Sequence, residues 1–97
     1  VEYPSSSIVP KEFALHQNYP NPFNPTTTIQ YDLPSAGLVS LKVFDILGRE
    51  VRTLVSDNLQ PGSYEVTFDA TGLVSGVYFY RMQGGEFVQT KRLLLLR

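Results

Sequence analysis

Val39 to Val55 reads VSLKVFDILGREVRTLV, and the spacing of its apolar residues decides the fold. Val39, Leu41 and Val43 alternate with Ser40, Lys42 and Phe44, and after a short break Val51, Thr53 and Val55 alternate with Arg52 and Leu54. A period of two is what a strand needs to bury one face. Between the runs lies Asp45-Ile-Leu-Gly48-Arg49. Gly can take the positive φ that closes a hairpin loop of about three to five residues, and an Asp at the loop's entry can accept hydrogen bonds from backbone N–H groups two residues on. The stretch predicts a β-hairpin. A bare hairpin is marginal in water, so the rest of the chain must supply strands that cover its apolar face.

Those strands are found on both sides. Thr26 to Leu33, TTTIQYDL, places Ile29, Tyr31 and Leu33 inward and ends at Pro34 and the turn Ser35-Ala-Gly37. Downstream, Asp57 to Gly62 reads as a turn, and Ser63 to Asp69 alternates Tyr64, Val66 and Phe68 with Glu65 and Thr67. Ala70 to Gly76 is a loop of small residues, Val77 to Met82 an aromatic strand, Gly84-Gly85 a turn, and Glu86 to Leu96 the last strand. With Phe13-Ala-Leu15 as a short edge strand, this makes about seven strands and no helical period, the pattern of an all-β sandwich. Pro61-Gly62-Ser-Tyr64 and Ser75-Gly76-Val-Tyr78 echo one another, each placing Gly two residues before a Tyr at a strand's start.

At 97 residues and 42% hydrophobic content there is room for one core; a domain of this size buries only roughly 60–65% of its unfolded surface. With no cysteine, no disulfide staples it. A net charge of −1 gives no reason to expect nucleic acid as a partner. The distribution is less even: from residue 81 onward Arg81, Lys91, Arg92 and Arg97 stand against Glu86 alone, so the C-terminal end is basic and apolar together. No apolar run is long enough to span a membrane, and VEYPSSSIVPKE lacks the basic-then-apolar order of an export signal. Those twelve residues, rich in Pro and Ser, read as a linker that follows a preceding domain.

Asn18 to Pro25, NYPNPFNP, cannot be helix or central strand, because its three prolines fix φ, remove donors and push the residues before them toward extended conformations. It reads as a rigid turn, with Tyr19 and Phe23 plugging the end of the sandwich and the three Asn side chains pairing backbone groups. Chemistry is sparse. His16 is the only histidine, no G-x-S-x-G elbow accompanies it, and Asp32, Asp45, Asp57 and Asp69 fall on four separate turns without a calcium-loop pattern. A calcium ion near Asp57-Asn58 or among the Asn residues is the weaker reading beside plain turn chemistry, and the aromatics, without Trp, mostly fall on inward positions. The residues argue against an enzyme.

Four segments, in order, resemble a known family. Asn18-Tyr-Pro-Asn-Pro-Phe-Asn-Pro25-Thr26 with Ile29, Val43-Phe-Asp-Ile-Leu-Gly-Arg49, Gly76-Val-Tyr-Phe-Tyr-Arg81 and Lys91-Arg-Leu-Leu-Leu-Leu-Arg97 are similar to the type A C-terminal sorting domain of the type IX (Por) secretion system of Bacteroidetes and related phyla. The resemblance covers residues 13–97. Ig-like domains of flagellar hook-capping proteins share the middle motifs but not the N-P-F-N-P opening. The family more often has Tyr where Phe44 stands, and fewer consecutive leucines at its end.

What the resemblance implies is a non-catalytic Ig-like or fibronectin III-like sandwich over residues 13–97, joined by a linker, residues 1–12, to a cargo such as a hydrolase or adhesin. The cargo would reach the periplasm by its own signal, be addressed to the outer-membrane translocon, and be cut at the linker by a sortase-like protease, ending secreted or at the cell surface. Lys91, Arg92, Leu93, Leu94, Leu95, Leu96 and Arg97 would carry the address, with Asp45, Gly48 and Arg49 shaping a neighbouring surface. Asn18, Pro20, Asn21, Pro22, Phe23, Asn24, Pro25, Gly76 and Tyr78 would be structural. The implied domain is a monomer with no cofactor, no metal and no nucleic acid. An apolar strand flanked by cations can add to a partner's sheet edge while its charges steer the encounter. Alternation would send Leu93 and Leu95 to one side of that strand and Leu94 and Leu96 to the other. Three readings stand beside the address: a last strand that merely completes the sandwich, a carbohydrate-binding module, and an inert spacer. An exposed, coplanar pair of aromatic rings would favour the module, and an exposed edge strand at the basic terminus would favour sorting.

Overall fold

The computed structural model describes residues 9–96; Arg97 and most of the expected linker lie outside the described residues. Seven strands form two packed sheets: β1 (Ala14–Leu15), β2 (Thr26–Leu33), β3 (Gly37–Phe44), β4 (Glu50–Leu59), β5 (Gly62–Asp69), β6 (Gly76–Gly84) and β7 (Phe87–Leu95). One sheet has the order β1-β2-β5 and the other β4-β3-β6-β7, and neighbouring strands pair antiparallel throughout. The all-β sandwich expected from the spacing is therefore the fold.

Alternation builds the core. Ile29, Tyr31 and Leu33 of β2, Val39, Leu41 and Val43 of β3, Phe68 of β5, Tyr78, Tyr80 and Met82 of β6, and Leu93 and Leu95 of β7 all point between the sheets and are buried. A fully buried aliphatic or aromatic side chain of this kind contributes about 1.5–3 kcal/mol. The two-residue echo has a structural counterpart: the Tyr64 hydroxyl donates to the Gln60 carbonyl and the Tyr78 hydroxyl to the Val74 carbonyl, both at 2.6 Å. Each tyrosine thus ties its strand to the turn before it.

β4 departs from the simple alternation. Leu41 pairs with Val55 and Lys42 with Thr53, leaving Leu54 extra; Val43 pairs with Arg52 and Phe44 with Glu50, leaving Val51 extra. An extra residue in one strand of an antiparallel pair is a bulge that turns the side chains after it. Val51, Leu54 and Val55 consequently pack against the core while Thr53 is exposed, which replaces the expected inward set of Val51, Thr53 and Val55. The strand also runs further than the polar residues Asp57 and Asn58 suggest, because both pair with β3, through Val39 and Leu38. β4 is a sheet edge, where exposed polar side chains such as these are readily accommodated.

Candidate functional site

The N-P-F-N-P segment and β7 come together. Phe23 enters the core, its ring centroid 5.7 Å from that of Phe68, and its backbone forms a parallel bridge with Leu95. The Phe23 N–H donates to the Leu94 carbonyl and the Leu96 N–H to the Phe23 carbonyl, both at 3.0 Å. Asn21 Oδ1 accepts the Leu94 N–H at 3.0 Å, and the Gln17 amide donates to the Arg92 carbonyl at 2.8 Å. Residues 17–23 thus latch onto the outer edge of β7. The Arg92 carbonyl, the Leu94 N–H and carbonyl and the Leu96 N–H are thus already paired, so the last strand is not the open edge that would favour addition of a partner strand.

The latch is held from within. Asn18 and Thr27, the buried polar residues, bond to each other at 3.0 Å and both donate to the Pro20 carbonyl. The Tyr80 hydroxyl donates to the His16 carbonyl at 2.7 Å and accepts the Asn18 N–H at 2.9 Å. Burial pushes the Tyr80 phenol up to about 12. No buried side-chain nitrogen or oxygen among the described residues is left unpaired. Tyr19, expected to plug the sandwich, is instead 81% exposed: its backbone bridges to Thr28 and its ring faces solvent. Of the two rings, Phe23 is the one that enters the core.

The faces of β7 divide the candidate residues. Leu93 and Leu95 are core, and Lys91, on their side of the strand, is half-buried. Arg92, Leu94 and Leu96 face away from the core; Arg92 is exposed, Leu94 half-buried and Leu96 47% exposed. Residues paired across a ladder share a face. Leu94 therefore lies beside Val77, and Arg92 beside Phe79, whose other neighbour is Phe44, on the outer surface of the four-stranded sheet. The Arg81 guanidinium sits 4.5 Å from the centre of the Phe44 ring, a cation–π contact on that same face.

The hairpin between β3 and β4 ends beside this surface. Gly48 has φ +83°, as the closing position of the loop requires. Asp45 Oδ1 accepts the N–H groups of Leu47 and Arg49 at 2.9 Å, and Oδ2 accepts Arg49 Nε at 2.8 Å. The Arg49 N–H first, and then its guanidinium and the Leu47 N–H, hold the Asp45 carboxyl below the ordinary value. With Asp45 and Arg49 bound to each other, the tip presents Ile46 and Leu47, 70% and 72% exposed. They border a groove of about 490 Å³ whose far wall includes Leu73, Val74 and Val77. Local alternation could not have singled out Ile46, Leu47 or Val74, since all three lie in loops.

The lone histidine pairs with one carboxylate. His16 Nε2 lies 3.1 Å from Asp32 Oδ2 at an exposed edge. Among the described residues no three His, Cys, Asp or Glu side chains are grouped to hold a metal. The stacked ring pairs are turned inward: Tyr31, buried, stacks on Tyr64, and Phe13 and Phe87 stack while both are half-buried.

What remains is a β-sandwich defined by its last strand, an edge strand latched by a proline-rich turn near the start of the domain. The chain belongs to the secretion system C-terminal sorting domain family of the Por, or type IX, system, whose family model matches residues 17–96. The family is a sorting signal, not a catalytic one, and it implies secretion through the outer membrane by way of the Por machinery. No curated protein and no solved structure matches the chain.

Proposed function

We propose that residues 13–97 address a cargo, joined through residues 1–12, to the outer-membrane translocon, and that a sortase-like protease then cuts within residues 1–12. The address is the C-terminal strand: Leu93 and Leu95 hold it in register while Arg92, Leu94 and Leu96 meet the partner, and Lys91 and Arg97 add positive charge. The observation that carries this reading is the outward placement of Leu94 and Leu96 beside Arg92 on the last strand of a sorting-family domain. The cargo ends secreted or at the cell surface, and the domain acts as a monomer without a cofactor. A carbohydrate-binding module draws no support from the inward-turned ring pairs.

The test fuses residues 1–97 to a periplasmic reporter in a host that has this secretion system and replaces Lys91, Arg92 and Arg97 with Gln. Charges at this end contribute on the order of 0–1 kcal/mol to stability, so melting stays close to wild type while surface delivery falls. Full delivery by the folded triple variant would refute the electrostatic part of the address.

A further inference from the structure

The apolar surface beside β7 continues past it. Val77, the outward neighbour of Leu94, lines two hollows: one with Asn21, Arg92 and Leu94, the other the groove beneath the hairpin tip with Leu47 and Val74. Ile46, Leu47 and Val74 are among the most exposed large apolar side chains in the domain, and they gather at this one end. Scattered exposed aliphatics need no explanation, but a contiguous patch marks an interaction surface.

Resting on the sorting reading, we propose that Ile46, Leu47, Val74, Val77 and Leu94 form a single docking surface, and that its occupant is a component of the secretion machinery offering an apolar ridge with a carboxylate at the end that meets β7. Charge selects that chemistry. Arg92, exposed and without an ion pair among the described residues, stands at the β7 end of the strip, whereas at the hairpin end the Arg49 guanidinium and the Asp45 carboxylate neutralise each other. Asp45 and Arg49 are then positioning residues. Their hydrogen bonds fix the loop backbone so that Ile46 and Leu47 are ordered before the partner arrives, which lowers the entropy lost on binding. The surface also explains how a strand with a blocked edge can be read: the partner meets side chains on the sheet face, and the latch stays in place.

The experiment uses the same reporter fusion with Ile46→Ser/Leu47→Ser and, separately, Val74→Ser. Leu38→Ser serves as control, because Leu38 is exposed on β3 at the end opposite the tip. The proposal expects surface delivery to fall on the order of tenfold or more in the first two, as when central apolar contacts of an interface are removed, with melting unchanged and the control delivered like wild type. Asp45→Asn should lower delivery less than the double variant, since it loosens the tip without removing the contacts. Delivery at wild-type levels by the Ile46/Leu47 and Val74 variants, with the Lys91/Arg92/Arg97 variant defective, would overturn the docking surface and leave the sorting reading intact. A wild-type domain that sediments as a dimer, turned monomeric by Ile46→Ser/Leu47→Ser with delivery preserved, would assign the surface to a second copy and overturn it too. Failure of the wild-type fusion to reach the surface would remove the sorting reading and the docking surface together.

Discussion

Replacing Tyr80 with Phe removes one oxygen and, with it, both hydrogen bonds that join β6 to residues 16–18. The ring stays, so core packing is conserved and the loss is polar. The Asn18 N–H is left buried without an acceptor, whereas the half-buried His16 carbonyl can find water. A buried unpaired donor costs roughly 1–3 kcal/mol, and the solvated acceptor adds less, so a loss of about 1.5–3 kcal/mol is expected. In a domain of this size each kcal/mol lowers Tm by roughly 4–8 °C, which makes a fall of about 6–24 °C. Urea unfolding should show an earlier midpoint at an unchanged m value, because the same surface is exposed. Alkali supplies a second readout. The Tyr80 pKa is raised in the folded state, to about 12, above the value near 10 of an unfolded tyrosine. Its contribution is therefore complete below about pH 10 and is lost as pH rises through about 12, so the stability gap between wild type and variant should narrow over that window. A cost below about 0.5 kcal/mol at neutral pH, or a gap that does not narrow in alkali, would refute the reasoning.

Three further outcomes are expected. Gly48→Val should cost on the order of 1–2 kcal/mol in thermal or urea unfolding, because φ at +83° strains a β-branched residue and nothing else crowds the site; a neutral substitution would contradict this. By NMR, the Asp45 carboxyl should titrate below 3.8, and as a depressed carboxylate its support for the hairpin is present above that range and lost as pH falls through the lowered value. Arg49→Ala should raise that midpoint only in part, since the Arg49 N–H bond remains; full return to the ordinary value would show that the guanidinium alone sets it. Mild proteolysis should make its first cuts within residues 1–12, and first cuts inside the strands would show that this stretch is not a linker.

The strands with one clean buried face were legible in the sequence, since Ile29-Tyr31-Leu33, Val39-Leu41-Val43 and Tyr64-Val66-Phe68 each announce their own period. β4 was less so: two bulges interrupt its alternation, and the polar Asp57 and Asn58 are tolerated on a sheet edge although they look like a turn. Alternation also split Leu93 and Leu95 from Leu94 and Leu96, but which pair faces outward is decided by the packing of β7 on the core, which no local pattern carries. Long-range pairing carried no local mark. Nothing in NYPNPFNP announces that Phe23 meets Leu95, or that Tyr19 and Phe23, both aromatic and both next to proline, part company into solvent and core. Asp45 and Arg49 could be placed near the C-terminal strand only by resemblance; the contact of Val77 with both surfaces is what supplies the physical reason.

The latch has a mechanical consequence. Because Phe23 runs parallel to Leu95, tension applied between the start of the domain and its last strand makes the two segments slide past each other. The bonds from Phe23 to Leu94 and Leu96, and from Asn21 to Leu94, then bear the load together instead of opening one by one. Resistance of that kind is set by an unfolding rate more than by equilibrium stability. A modest domain with no disulfide thereby gains a sheared grip between residues 21–23 and its last strand.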